Sequence, residues 1–175
     1  MRRLAEEAGI RRFMRSLGAA AREETRVYFT GGVSAVLMGW RSATVDVDLT
    51  FVPDRDDLLR LIPALKDELQ INVELASPAH FVPELPGWEA RSPFIEREGK
   101  LSFFHYDFYS QALAKIERGH MQDQTDIRAM LDSGLVEPAR LRELFATIIP
   151  HLYRFPAVDP ASLSRAVEES LAGRD

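Results

Sequence analysis

At 175 residues, with 46% hydrophobic and 28% charged side chains, the chain is long enough to bury its own core and has the make-up of an ordinary globular domain. A formal net charge of −5 argues against a protein that coats nucleic acid, and the lack of cysteine excludes a disulfide framework or a thiolate metal site. No apolar run approaches the roughly 20 residues that span a bilayer and the N-terminus has no signal-peptide apolar core, so the cytoplasm is the expected compartment.

The spacing of Leu4, Ala8, Ile10, Phe13, Met14 and Leu17 predicts a helix over residues 2–22. Its arginines, Arg2, Arg3, Arg11, Arg12, Arg15 and Arg22, form either a solvated face or a weak RNA contact. Val27 to Thr30 reads as an apolar strand, Gly31-Gly32 as a turn, and Val33 to Trp40 as a helix-compatible segment. A strand–Gly-Gly–helix turn exposes backbone N–H groups at a helix start, where phosphate is favoured, and Ser34 can add a hydroxyl there.

From Val45 to Phe51 the pattern alternates, with Val45, Val47, Leu49 and Phe51 on one face and Asp46, Asp48 and Thr50 on the other. The two aspartates therefore project the same way, roughly 6.6 Å apart along the strand. Like charges at that spacing repel unless a cation lies between them, and magnesium bound through carboxylates and phosphates is such a cation. Taken alone, the aspartates fit a half-solvated strand better than a site; the Gly-Gly turn just upstream reverses that preference.

Asp54 reads as the N-cap of a helix to about Leu69, with Leu58, Leu59, Leu61, Ile62, Leu65 and Leu69 buried and a kink or break at Pro63. Ile71 to Leu75 is a strand with Asn72 and Glu74 on its polar side, which leaves Glu74 either a surface carboxylate or a third acid for the site. The proline-rich stretch from Ser77 to Pro93 reads as an ordered irregular loop. Phe94 to Arg97 and Leu101 to Tyr106 then form a hairpin around Gly99. Helices follow from Phe108 to a stop at Gly119, through Asp123 and Asp126 to Ser133-Gly134, from Glu137-Pro138 to Pro150, and from Ala161 to Leu171 behind an Asp159-Pro160 start.

The segment GGVSAVLMGWRSATVDVDL resembles the signature of the DNA polymerase β-like nucleotidyltransferase superfamily, in its small bacterial branch of AbiEii/MenT-type toxins and minimal domains. The later segment ALAKIERGHMQDQTDIRAML is similar to the second signature of those proteins. The resemblance implies transfer of a nucleoside monophosphate from an NTP, with Mg2+ or Mn2+ held by Asp46, Asp48 and Glu74. It further implies that Gly31, Gly32 and Ser34 cradle the phosphates and that Lys115 contacts them. Asp123 or Asp126 would line the site, and Arg41 would add positive charge or pair with Asp48.

The expected fold is α/β: a nucleotidyltransferase-like mixed sheet with packed helices (residues 1–107), then a helical C-terminal half (108–175). The acceptor is unread; the resemblance admits an RNA end such as tRNA, a protein or a small molecule, and a toxin–antitoxin role. Two other readings stay open. One is a catalytically silent domain of this kind acting as a binding protein; the other is a different Asp-x-Asp transferase or hydrolase.

Overall fold

The structure is a computed structural model that describes residues 2–174, and the chain divides into two compact units. The first comprises Met1–Ser77 and Ser92–Tyr106; the second comprises Pro78–Arg91 and Asp107–Asp175. Among the described residues no helix is long and apolar enough to cross a membrane.

In the first unit, β1 (Ala5–Glu6) leads into α1 (Glu7–Ala20), β2 (Thr25–Thr30), α2 (Gly32–Met38), β3 (Ala43–Thr44) and β4 (Asp46–Val52). Then come α3 (Asp56–Leu59), α4 (Ile62–Leu69), β5 (Asn72–Leu75) and the hairpin β6 (Phe94–Glu98) and β7 (Leu101–His105). Five strands form one mixed sheet in the order β5-β4-β2-β7-β6, and β1 pairs with β3 apart from it. β2 runs antiparallel to β4 and parallel to β7, while β5 lies parallel to β4 at the edge.

One face of this sheet is the core. Val27, Phe29, Val47, Leu49, Phe51, Val73, Leu101 and Phe103 gather there with Ile10, Phe13, Met14 and Leu17 of α1 and with Leu58, Ile62 and Leu65. Alternation along each strand sends the intervening residues to the opposite face. That face carries an aromatic group, Tyr28 stacked on Phe104 at 5.2 Å and edge-on to Tyr106 at 5.9 Å, and beyond it the polar residues of β4 and β5. At the far end of α1, a Cβ on Gly18 would lie 2.5 Å from the Glu98 carbonyl, and one on Gly99 2.5 Å from the Gly18 carbonyl. Helix and hairpin meet there backbone against backbone.

Three sequence expectations need correction. The first helix starts at Glu7, because residues 5 and 6 pair with β3; Leu4 is exposed and lies outside its apolar stripe. The helix expected from Asp54 is two pieces, parted at Arg60-Leu61 rather than at Pro63, which sits in the first turn of α4 where its missing N–H is harmless. Arg55, not Asp54, occupies the cap position. Val45 is 65% exposed, since β4 begins only at Asp46 after the chain leaves β3.

The second unit holds a short 3-10 turn (Pro78–His80), α5 (Trp88–Arg91), α6 (Phe108–Arg118), α7 (Met121–Asp132), α8 (Pro138–Ile148), a 3-10 stretch (Ile149–Arg154) and α9 (Pro160–Leu171). α6 is central and touches α7, α8, α9 and the 78–80 turn. Asp107 caps it, accepting from the Tyr109 N–H and the Ser110 hydroxyl, and also takes two hydrogen bonds from Arg91 at 3.2 and 2.8 Å. Asp159 likewise caps α9 by accepting from the Ser162 N–H, with Pro160 at the first turn.

Candidate active site

Strand register assembles the acidic residues. In the parallel pair β4–β5, Asp46 stands opposite Asn72 and Asp48 opposite Glu74. Directly paired residues point to the same side, so Asp46, Asp48, Asn72 and Glu74 form a two-by-two array on the face turned away from the core. Thr30 at the end of β2 pairs with Asp48 and joins this face. Asp46 and Asp48 are half-buried, and Glu74, nearer the sheet edge, is exposed.

The glycine turn abuts the same array. Gly31 has φ 65° and ψ −134°, a conformation that disfavours any residue with a side chain. A Cβ on it would lie 2.8 Å from Asp48 Oδ2, so the turn's backbone lies against the carboxylate. On Gly32, the first residue of α2, a Cβ would overlap the Thr44 side chain and come within 3.3 Å of Arg41 Nη1. Gly31, Gly32, Arg41 and Asp48 are thus neighbours in space. Ser34 is fully buried, donates its hydroxyl to the Phe29 carbonyl and has His105 Nδ1 at 3.0 Å. Its contacts tie the start of α2 to β2 and β7.

Sequence pattern gives Asn72 no role beyond its place on the polar side of β5. In the structure its Nδ2 lies 2.6 Å from Asp46 Oδ1 and 2.9 Å from Glu74 Oε1. The available signal is compositional: asparagine is disfavoured in strands, and this one opens a short strand facing acids.

Lys115, Asp123 and Asp126 belong to the second unit, where they bind one another. Lys115 Nζ lies 3.1 Å from Asp123 Oδ1 and 2.7 Å from Asp126 Oδ2, and all three side chains are almost wholly buried. Arg118 adds bonds of 3.1 and 2.7 Å to Asp123 and lays its guanidinium over the Phe81 ring. Burial pushes the Asp123 carboxyl up, but the hydrogen bonds and charges of Arg118 and Lys115 outweigh it and hold the group below the usual carboxylate range. Lys115 and Arg118 thus set positive charge against the two buried carboxylates.

The donor set on β4 and β5 is all carboxylate oxygen, which suits a hard divalent ion. Among the described residues, no three His, Asp or Glu side chains already converge as a metal-binding group. Magnesium does not require that, because it is commonly held by one or two carboxylates together with substrate phosphates. Asp46 and Asp48 beside the glycine turn fit that mode.

A family model described as a nucleotidyltransferase of unknown function (DUF6036) matches residues 9–154. The chain belongs to this family. The matched span takes in the glycine turn, the acidic array and the Lys115 cluster, and the general activity it carries is nucleotidyl transfer. Comparison with curated proteins and with solved structures gives no significant match.

Proposed function

We propose that this nucleotidyltransferase moves a nucleoside monophosphate from an NTP to an acceptor hydroxyl, using Mg2+ or Mn2+ held by Asp46 and Asp48 with Glu74 as third acid. The observation that carries the reading is the shared face of these acids beside a glycine turn that only a side-chain-free residue can make.

The bound cation would neutralise phosphate charge and lower the pKa of the attacking hydroxyl. In the step itself, the acceptor oxygen bonds to the α-phosphorus as the bond to the β-phosphate oxygen breaks. Pyrophosphate leaves, and the hydroxyl proton passes to a carboxylate of the acidic face and on to solvent. Backbone N–H groups opening α2 at Gly32 receive the β- and γ-phosphates, with Arg41 supplying positive charge beside them. Ser34 holds that helix start in place from beneath. The resemblance also assigns Lys115, Asp123 and Asp126 to the triphosphate; in the structure these three side chains pair with one another inside the second unit.

The resemblance to AbiEii/MenT-type proteins makes a tRNA end the first acceptor to test and a protein the second. It also supports a toxin-like component acting in the cytoplasm, where NTPs and magnesium are supplied. The test incubates the protein with α-labelled NTPs, Mg2+ or Mn2+, and tRNA or total cell protein, and follows both label transfer and pyrophosphate. Asp46→Asn and Asp48→Asn should keep the wild-type circular dichroism while losing transfer by at least about 100-fold. Variants that bind and transfer NTP as the wild type does would refute the assignment.

A further inference from the structure

We propose that Asn72 is a positioning residue for the acidic face, holding Asp46 and Glu74 in the arrangement that receives the cation; the inference rests on the function proposed above. A side-chain amide has two N–H donors and one carbonyl acceptor. All are engaged here. One N–H serves Asp46 Oδ1 at 2.6 Å, the other serves Glu74 Oε1 at 2.9 Å, and Oδ1 accepts from Arg2 Nη1 at 3.1 Å.

Arg2 has a second partner, its Nη2 lying 2.9 Å from Asp67 at the end of α4, and the next residue's N–H bonds to the Gln70 carbonyl at 2.8 Å. A chain of contacts therefore runs from Asp67 through Arg2 and Asn72 to the two acids. This orientation of the amide is the one the partners demand, because the arginine can only donate and the carboxylates can only accept.

The arrangement has a chemical consequence. Two carboxylates on adjacent strands repel, and a neutral double donor between them offsets that repulsion without occupying the place of a cation. Each acid gives one oxygen to Asn72 and keeps the other, Asp46 Oδ2 and Glu74 Oε2, as a donor for metal. The nitrogen that Asn72 turns to the acids has no lone pair to give a metal, and its oxygen accepts from Arg2. Partners that orient ligands in this way commonly change metal affinity by about 10–100-fold when removed.

The test titrates the full chain with Mn2+ alone by calorimetry, alongside circular dichroism and thermal unfolding. Asn72→Leu, which keeps the size but has no donors, should weaken Mn2+ binding by about 10-fold or more while leaving the dichroism unchanged. Asn72→Gln, which restores an amide donor, should recover part of the loss. Arg2→Ala should lie between Asn72→Leu and wild type. Asp46→Asn, a ligand change, should abolish binding.

If Asn72→Leu binds Mn2+ as tightly as wild type while Asp46→Asn does not, the positioning role is overturned and the metal site stands. A loss of thermal stability with unchanged Mn2+ affinity overturns it in the same way. Wild-type protein that takes up no Mn2+, either alone or with an NTP present, overturns the site and the inference together.

Discussion

Gly18 of α1 and Gly99 of the β6–β7 turn approach so closely that neither has room for a methyl group: each absent Cβ would sit 2.5 Å from a carbonyl oxygen across the contact. Gly9, in the same helix, has nothing within 4 Å of its Cβ position. Helix propensity alone favours alanine over glycine by about 1 kcal/mol at both places. Gly9→Ala should therefore stabilise the protein by up to that amount, whereas Gly18→Ala should destabilise it by about 1–3 kcal/mol through overpacking. Urea unfolding of the two variants decides it, and equal signs would mean the helix and hairpin part easily.

Burial pushes His105 down to about 4, from an ordinary value of 6.5, so the folded protein holds it neutral beside Ser34. Between those two values the unfolded chain binds the proton and the folded chain does not. Stability should therefore fall as pH drops from 6.5 towards 4, with this contribution level above and below that window. The loss between pH 7 and pH 5 should be about 2 kcal/mol. In His105→Gln that part of the slope should vanish, which unfolding curves at the two pH values would register.

Lys115→Met leaves Asp123 and Asp126 buried with their shared ammonium gone and should cost about 3–5 kcal/mol. The triple change Lys115→Met, Asp123→Asn, Asp126→Asn removes the stranded charge and should recover most of that loss. Arg118 is 37% exposed, and Arg118→Ala should cost no more than about 1 kcal/mol. A triple variant as unstable as the single one would show that the carboxylates are not what makes the lysine necessary.

Gly31→Ala combines two penalties, a backbone with φ 65° and a methyl 2.8 Å from Asp48 Oδ2. Gly39→Ala carries a backbone penalty alone, since Gly39 has φ 90° but nothing within 4 Å of its Cβ position. Both should lose about 1–3 kcal/mol of stability. Only Gly31→Ala should also impair Mn2+ binding, because only there must the carboxylate move. Calorimetric titration of the two variants separates the effects.

Local pattern made much of this architecture readable. Val47, Leu49 and Phe51 alternate with the aspartates as a half-buried strand must, and Asp159 and Gly119 mark the helix ends that they occupy, whereas the cap that Asp107 makes on α6 is not among the sequence expectations. What stayed hidden depends on pairing between distant segments. That Ala5 and Glu6 leave the first helix follows from their pairing with Thr44 and Ala43, beyond the whole of α1, β2 and α2. The place of Asn72 between two acids follows from β4 and β5 lying in one particular parallel register; a shift by one residue would have turned it to the other face. Asp123 and Asp126 share a helical face by their spacing, but their hold on Lys115 comes from α7 folding back on α6 after Gly119.

The chain passes between its two units three times, after Ser77, after Arg91 and after Tyr106. Residues 78–91 are anchored to α6 through the paired bonds of Arg91 to Asp107 and through Phe81 beneath Arg118. Dissection by a single cut is therefore ruled out. A fragment ending at Tyr106 would retain that excursion stripped of the helix it serves, and one beginning at Asp107 would lack it. Isolating the sheet-bearing half calls for replacing residues 78–91 as well, with a linker long enough to run from β5 at one edge of the sheet to β6 at the other.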